Sequence, residues 1–432
     1  MTVGIGSEIT LEIEKAVAGG RMLARHEGQA VLVWGAIPGE RIRARIERVG
    51  RGVLYAEASE VLAPSADRRE GRPDWRCGGN VFVHIAYERQ LHLKAEIIRE
   101  TLGRIGRVTL AAPPVVMASL ERGYRMRARL HARGGRLGFL REGTHHVCDA
   151  GTTGQLLPET VRWIAAAERI VARERLAGLA GVEIAENVAA DERACHLELE
   201  AGTDAALFGR IADAGPLTGL SAGRADRPGA ERLVGVPSVS DVLHVREGDS
   251  ASALRLRRDA RAFFQGNRFL LEPLVRYVAG LVPSGPIVDL YAGVGLFGLS
   301  LAAAGAEDVT LVEGDQTSGA DLKANAEPFV PRVRVERRSV ESFLATPHLP
   351  AREATFIADP PRTGMSKEAM GGIARRMPAR IVYVSCDIAT LARDTRMLLD
   401  LGYELGDLIG FDLFPNTAPV ETIATFSRTS AP

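Results

Sequence analysis

The stretch that most constrains the fold is Ile381-Val-Tyr-Val-Ser-Cys-Asp387. Four of its first five residues are β-branched or aromatic, as in a buried strand. The residues that follow, Ile388-Ala-Thr-Leu-Ala-Arg-Asp-Thr-Arg-Met-Leu-Leu399, place apolar side chains three and four apart, which is helical spacing. Cys386 therefore falls where a buried strand gives way to a helix, the edge of an open α/β sheet at which ligands bind. The positive end of that helix is expected to favour the thiolate, the reactive form of the side chain. A buried structural cysteine leaves the same local pattern, so its neighbours must decide.

The rhythm recurs through the C-terminal third. Strand-like runs at Ile287-Val-Asp-Leu-Tyr291, Val309-Thr-Leu-Val-Glu313 and Ala354-Thr-Phe-Ile-Ala-Asp359 alternate with helical ones. A parallel, doubly wound sheet with helices on both faces follows. After the first run, Gly293, Gly295 and Gly298 form G-x-G-x-x-G, and Glu313 closes the second. A nicotinamide dehydrogenase and a methyltransferase both need that glycine turn and that ribose-binding acid. Asp359-Pro-Pro-Arg-Thr-Gly364 separates them, because methyltransferases of planar bases carry an acid-Pro-Pro turn whose rigid prolines fix a loop edge against the ring. Enzymes that methylate exocyclic nitrogen put an aromatic residue next, and here it is Arg362. A thiol nearby points instead to a ring carbon as the expected target.

Upstream, Ile9–Ile13, Ala30–Trp34, Arg41–Ile46 and Val53–Ala56 read as short strands between turns, a small OB-like β-barrel of the oligonucleotide-binding kind. Arg41, Arg43 and Arg45 share one of its strand faces. A polar linker is expected from Ala63 to Pro73, then Cys77-Gly-Gly-Asn80 and an amphipathic helix from Tyr87 to Leu102. Arg125, Arg127 and Arg129 lie on one face of a hairpin that turns at Gly134-Gly135, a candidate RNA-facing surface that an ordinary solvated sheet would match equally well. The expected domains are 1 to 65 (barrel), 66 to 255 (central α+β) and 256 to 432 (doubly wound sheet).

Composition sets limits. At 46% apolar and 25% charged residues, the 432-residue chain matches a globular protein. Its net charge of zero gives no support to a highly basic nucleic-acid binder, although all but four of its 54 cations are arginine, a residue suited to phosphate. Four scattered cysteines make no disulfide framework, which points to a reducing cytoplasm. The opening Met-Thr-Val-Gly-Ile-Gly-Ser-Glu has neither the basic start nor the apolar core of a signal peptide, and with no membrane-length apolar run, membrane insertion is not expected.

These motifs resemble the RNA uracil-C5 methyltransferases, especially the bacterial 23S rRNA members. The resemblance covers about 260 to 427 and rests on Phe264-Gln-Gly-Asn267, Asp289-Leu-Tyr-Ala-Gly-Val-Gly295, Asp359-Pro-Pro-Arg-Thr-Gly364, Tyr383-Val-Ser-Cys-Asp387 and Phe411-Asp-Leu-Phe-Pro-Asn-Thr-Ala-Pro-Val-Glu421. The barrel is similar to the family's TRAM module. The resemblance implies a class I methyltransferase domain and a monomer acting on RNA, with rRNA ahead of tRNA. It further implies Cys386 as nucleophile and Glu421 as base, with Gln265, Tyr291, Gly293, Gly295, Glu313 and Asp359 holding S-adenosylmethionine. An RNA cytosine-C5 methyltransferase and a non-catalytic RNA-binding protein on the same fold remain alternatives. Many members hold a [4Fe-4S] cluster on four cysteines. Here Asn80 and Gly71 stand at two ligand positions, leaving Cys77 and Cys148, so no cluster and no metal are expected. Asn416 and Pro419 also depart from the family pattern, which implies altered substrate contacts nearby.

Overall fold

The structure, a computed structural model, describes residues 4–71, 74–246, 253–346 and 353–428. Five strands close the N-terminal barrel: Glu8–Ala16, Met22–His26, Gln29–Trp34, Arg41–Gly50 and Val53–Ala63. The sequence reading finds four of them and passes over Met22–His26, a five-residue strand. Alternate residues of Arg41–Gly50 fill the barrel, so Ile42, Ala44 and Ile46 are buried while Arg41, Arg43 and Arg45 point outward. Two of these arginines already have partners, Arg43 with Glu60 and Arg45 with Glu8.

The expected linker after the barrel is not a free tether over its described part. Arg68 forks onto Glu40, a carboxylate with no exposed surface, at 2.6 Å to each oxygen. Pro73 and its neighbour Arg72 lie outside the described residues. The helix Tyr87–Thr101 follows and ends in a wider turn, Leu102–Gly106. Further on, Arg127–Arg133 and Arg136–Leu140 pair across Gly134-Gly135 as expected. They join a seven-stranded central sheet backed by the helix Pro158–Arg173. A separate hairpin, Ser238–His244 with Ala253–Asp259, straddles the expected boundary at 255, and its Leu243, Leu254 and Leu256 pack into the C-terminal core.

The C-terminal sheet has five parallel strands in the order Val333–Glu336, Val309–Val312, Ile287–Leu290, Thr355–Ala358 and Arg380–Ser385. Two antiparallel strands follow, Glu421–Arg428 and Tyr403–Phe411, and Val116–Met117 completes the edge from far upstream. Val333–Glu336 was not foreseen. It makes the Asp359 and Cys386 strands the fourth and fifth of the domain. Chain order reverses between Ile287–Leu290 and Thr355–Ala358, and the crevice at such a reversal is where an open α/β sheet binds its ligand.

Among the described residues, no helix is long and apolar enough to cross a membrane. One expectation about cysteines is corrected, because Cys77 and Cys148 form a disulfide across 71 residues of sequence. The sequence spacing hid it, since strand Val147–Asp149 returns beside Cys77 only once the central sheet is folded.

Candidate active site

A cavity of about 1160 Å³ opens at the chain reversal. Its walls come from three parts of the chain. The barrel contributes Gly19 and Trp34, the central region Gly79, Val81, Arg125, Arg127 and Glu142, and the C-terminal domain the remainder. Of the eight residues expected from sequence, seven line it: Gln265, Tyr291, Gly293, Glu313, Asp359, Cys386 and Glu421. Gly295 does not. It sits behind the loop at the start of the helix Leu296–Ala303, where a side chain would collide with Leu299.

The loop between strand and helix is built to leave room. Tyr291 has φ 61° and Gly293 φ 58°, so the chain turns sharply, and nothing lies within 4 Å of where a Gly293 side chain would be. The Gly293 N–H donates to Glu313 at 2.7 Å, which ties the loop to the end of the second strand. Asp289 accepts from the Gly298 N–H at 2.8 Å, and burial raises its carboxyl to about 8. Open space over a glycine turn, with an acid at its side, fits the ribose and backbone of an adenosyl cofactor.

At the other end of the cavity the groups are electrostatically tense. Gln265 donates to Asp359 at 3.1 Å. Burial raises the Asp359 carboxyl to about 7. Glu421 opens the strand Glu421–Arg428 and is only 2% exposed, with no partner for Oε1. Burial first and Asp359 second push its carboxyl well up, against the pull of Arg362.

Cys386 is half-buried, and here the sequence expectation is corrected. Burial, then Glu421, raises its thiol to about 11, with Arg362 opposing. The helix Ile388–Asp400 does begin immediately beyond it, but Asp387 caps that end, accepting from the Ala389 and Thr390 N–H groups at 2.9 and 3.0 Å. The cap thus occupies the first free N–H groups of the helix with a carboxylate.

The departures noted in the sequence divide. Pro419 lines the cavity, whereas Asn416 is buried behind it in the left-handed region at φ 64°. Asn is among the few residues other than glycine that tolerate that conformation. Gln90 grips it from both sides, accepting from its N–H and donating to its Oδ1, each at 2.9 Å. Asn416 therefore holds the loop rather than a substrate. Buried Lys94 pairs with Asp412 in the same loop. Of the three arginines expected on one surface, Arg125 and Arg127 reach the cavity, and Arg129 pairs with Glu198 outside it. Sequence reading noted Arg362 but gave it no place beside the thiol, and it passed over Trp34 as a wall residue. Residues at the cluster positions do not fit a [4Fe-4S] group: Cys77 and Cys148 are bonded to each other and Asn80 supplies an amide.

Strand order and cavity together define a class I methyltransferase domain behind a TRAM-like barrel. The TRAM domain description matches residues 3–59, and that of tRNA (Uracil-5-)-methyltransferase matches residues 350–429. A 23S rRNA (uracil(1939)-C(5))-methyltransferase RlmD of Halomonas elongata is 31% identical, covering 96% of this chain and 88% of the relative. Another from Thiobacillus denitrificans is 32% identical, over 95% and 97%. The crystal structure of Pyrococcus abyssi tRNA (uracil-54, C5)-methyltransferase in complex with S-adenosyl-L-homocysteine shares the fold, with a TM-score of 0.76 and 24% identity over 96% of this chain and 99% of that one. The chain belongs to the RNA uracil-C5 methyltransferases, enzymes that use S-adenosylmethionine. Membership removes the nicotinamide reading of the glycine loop.

Proposed function

We propose that the protein methylates carbon 5 of a uracil in 23S rRNA through a covalent bond between Cys386 and carbon 6 of the ring. One observation carries the reading: a half-buried thiol and an unpartnered buried carboxylate, Glu421, line one cavity beside Asp359 and Arg362. The names of the Halomonas and Thiobacillus relatives support the choice of RNA.

Carbon 5 of uracil is a weak nucleophile, because the ring carbonyls withdraw electrons from it. When the Cys386 thiolate adds to carbon 6, the new C–S bond turns the ring into an enolate with charge at carbon 5. Arg362, the one cation acting on the thiol among the described residues, opposes two carboxylates and makes the thiolate easier to reach. S-adenosylmethionine, when bound, supplies an electrophilic methyl group. Gln265, Tyr291, Gly293, Gly295, Glu313 and Asp359 hold it, with Gly295 acting through the turn rather than by contact. Once carbon 5 has taken that methyl group, leaving S-adenosylhomocysteine, Glu421 takes the proton from carbon 5, the electrons re-form the ring double bond, and the C–S bond breaks to release Cys386. A carboxylate made more basic by burial is suited to a carbon-bound proton. A base reaches this cavity only by leaving its stack, so a flipped nucleotide in a single-stranded loop is the expected substrate.

Nucleoside mapping by mass spectrometry of RNA from cells with and without the protein tests the reading. Loss of one 5-methyluridine from 23S rRNA is expected. Loss from tRNA alone overturns the ribosomal part, and loss of 5-methylcytidine overturns the uracil part. RNA containing 5-fluorouracil should form a stable adduct; cofactor binding without one would leave a non-catalytic RNA-binding protein.

A further inference from the structure

The loop that carries Asp359 and Arg362 is held from behind by two consecutive residues that no part of the reaction uses. Asp394, with no exposed surface, accepts from the Met365 N–H at 2.9 Å and from the Tyr383 hydroxyl at 2.6 Å. Arg393 donates to its other oxygen at 2.8 Å. The same guanidinium donates to the carbonyls of Thr363 and Met365, each at 3.1 Å. Three backbone groups of the loop thus end on one Asp–Arg pair.

The location of that pair matters. Both residues sit on the helix that starts just beyond Cys386, and Tyr383 lies on the strand that ends just before it. The loop cannot settle elsewhere without breaking this packing. Gly364 has φ 72°, and a side chain there would stand 2.5 Å from the Arg393 guanidinium and 2.7 Å from the Asp394 carboxylate.

We propose that Asp394 and Arg393 form a brace that fixes the loop bearing Arg362 against the strand end bearing Cys386, making both positioning residues for the thiol. This rests on Cys386 as the reacting thiol but not on which RNA is methylated. Among the described residues, the charged groups that act on the thiol are Glu421 from its own strand and Arg362 and Asp359 from the braced loop. Of these only Arg362 favours the thiolate, so a loosened loop costs reactivity.

Alkylation of Cys386 by iodoacetamide, followed by mass spectrometry at several pH values in the full chain without RNA, reads this directly. Below the thiol's midpoint the rate follows the thiolate fraction, so an upward shift of about one pH unit slows it about tenfold. Arg362→Ala should show that loss. Arg393→Lys, at a residue 46% exposed, keeps the charge but loses the fork, and should slow alkylation in the same direction. The double variant should be no slower than Arg362→Ala alone, because the brace acts through Arg362. Tyr383→Phe, which leaves all three loop bonds, should react like the parent.

A wild-type rate in Arg393→Lys overturns the brace, and so does a double variant whose losses multiply. Should Arg393→Lys fold poorly, Gly364→Ala displaces the same loop from the other side and must give the same slowing. Failure of Cys386 as nucleophile would instead appear as absence of the 5-fluorouracil adduct, with the alkylation pattern unchanged.

Discussion

Glu40 in the barrel and Glu421 in the cavity are both buried carboxylates, and they are treated in opposite ways. Glu40 accepts from Arg68 twice and from the Ile37 and Ser65 N–H groups, so both oxygens are occupied. Glu421 has an oxygen with no partner and a second acid acting on it. A buried charge that is fully paired holds a fold together. One left unpaired is a standing cost that a fold keeps only where something else, here the proposed reaction, makes use of it.

The contrast breaks most readily by mutation. Cys386→Ala should abolish methyl transfer, and Glu421→Gln should lower turnover by about 10²–10⁴-fold while an RNA adduct accumulates on denaturing gels. Normal turnover in Glu421→Gln would end the distinction between the two acids. Glu40→Gln should do the reverse: about 3–5 kcal/mol of stability is lost by leaving Arg68 without its partner, as thermal melts would show. Turnover per folded molecule should be unchanged.

Acidity sharpens the comparison. Asp359, raised to about 7, and Asp289, raised to about 8, bind protons in the folded state that the unfolded chain has already released. Their contribution to stability is therefore complete below about pH 4 and is lost as pH rises through 7 and 8. Glu421 acts in the same direction. Melting temperature should fall over that window, and Asp359→Asn or Glu421→Gln should flatten the fall. A smaller effect concerns the two free thiols. Iodoacetamide should label Cys386 in the native protein, increasingly as pH rises towards 11, while fully buried Cys195 stays unlabelled until the chain unfolds.

The sequence exposed whatever is written locally. Strand ends, the glycine turn, the Asp359-Pro-Pro corner and Cys386 all sit on short runs with their own periodicity, readable without knowing what lies beside them in the sheet. Residues whose meaning depends on a distant partner were hidden. Val116–Met117 is a strand only because Tyr403–Phe411 lies beside it, and Cys148 reaches Cys77 through a hairpin return. Arg393 and Asp394 look like the solvated face of an amphipathic helix until the loop at 363–365 folds over them. The thiol misled for a related reason. The helix end beside Cys386 was legible, but the burial and the carboxylate of Glu421 that outweigh it come from tertiary packing.

The cavity draws its walls from three separately built parts of the chain, yet the thiol, the unpaired acid and the glycine turn all stand on one of them. On the proposed reading, the chemistry is confined to one architecture while part of the wall around it comes from others. Reshaping Trp34 or Arg125 would then remodel the mouth of the cavity and leave the proposed chemistry in place.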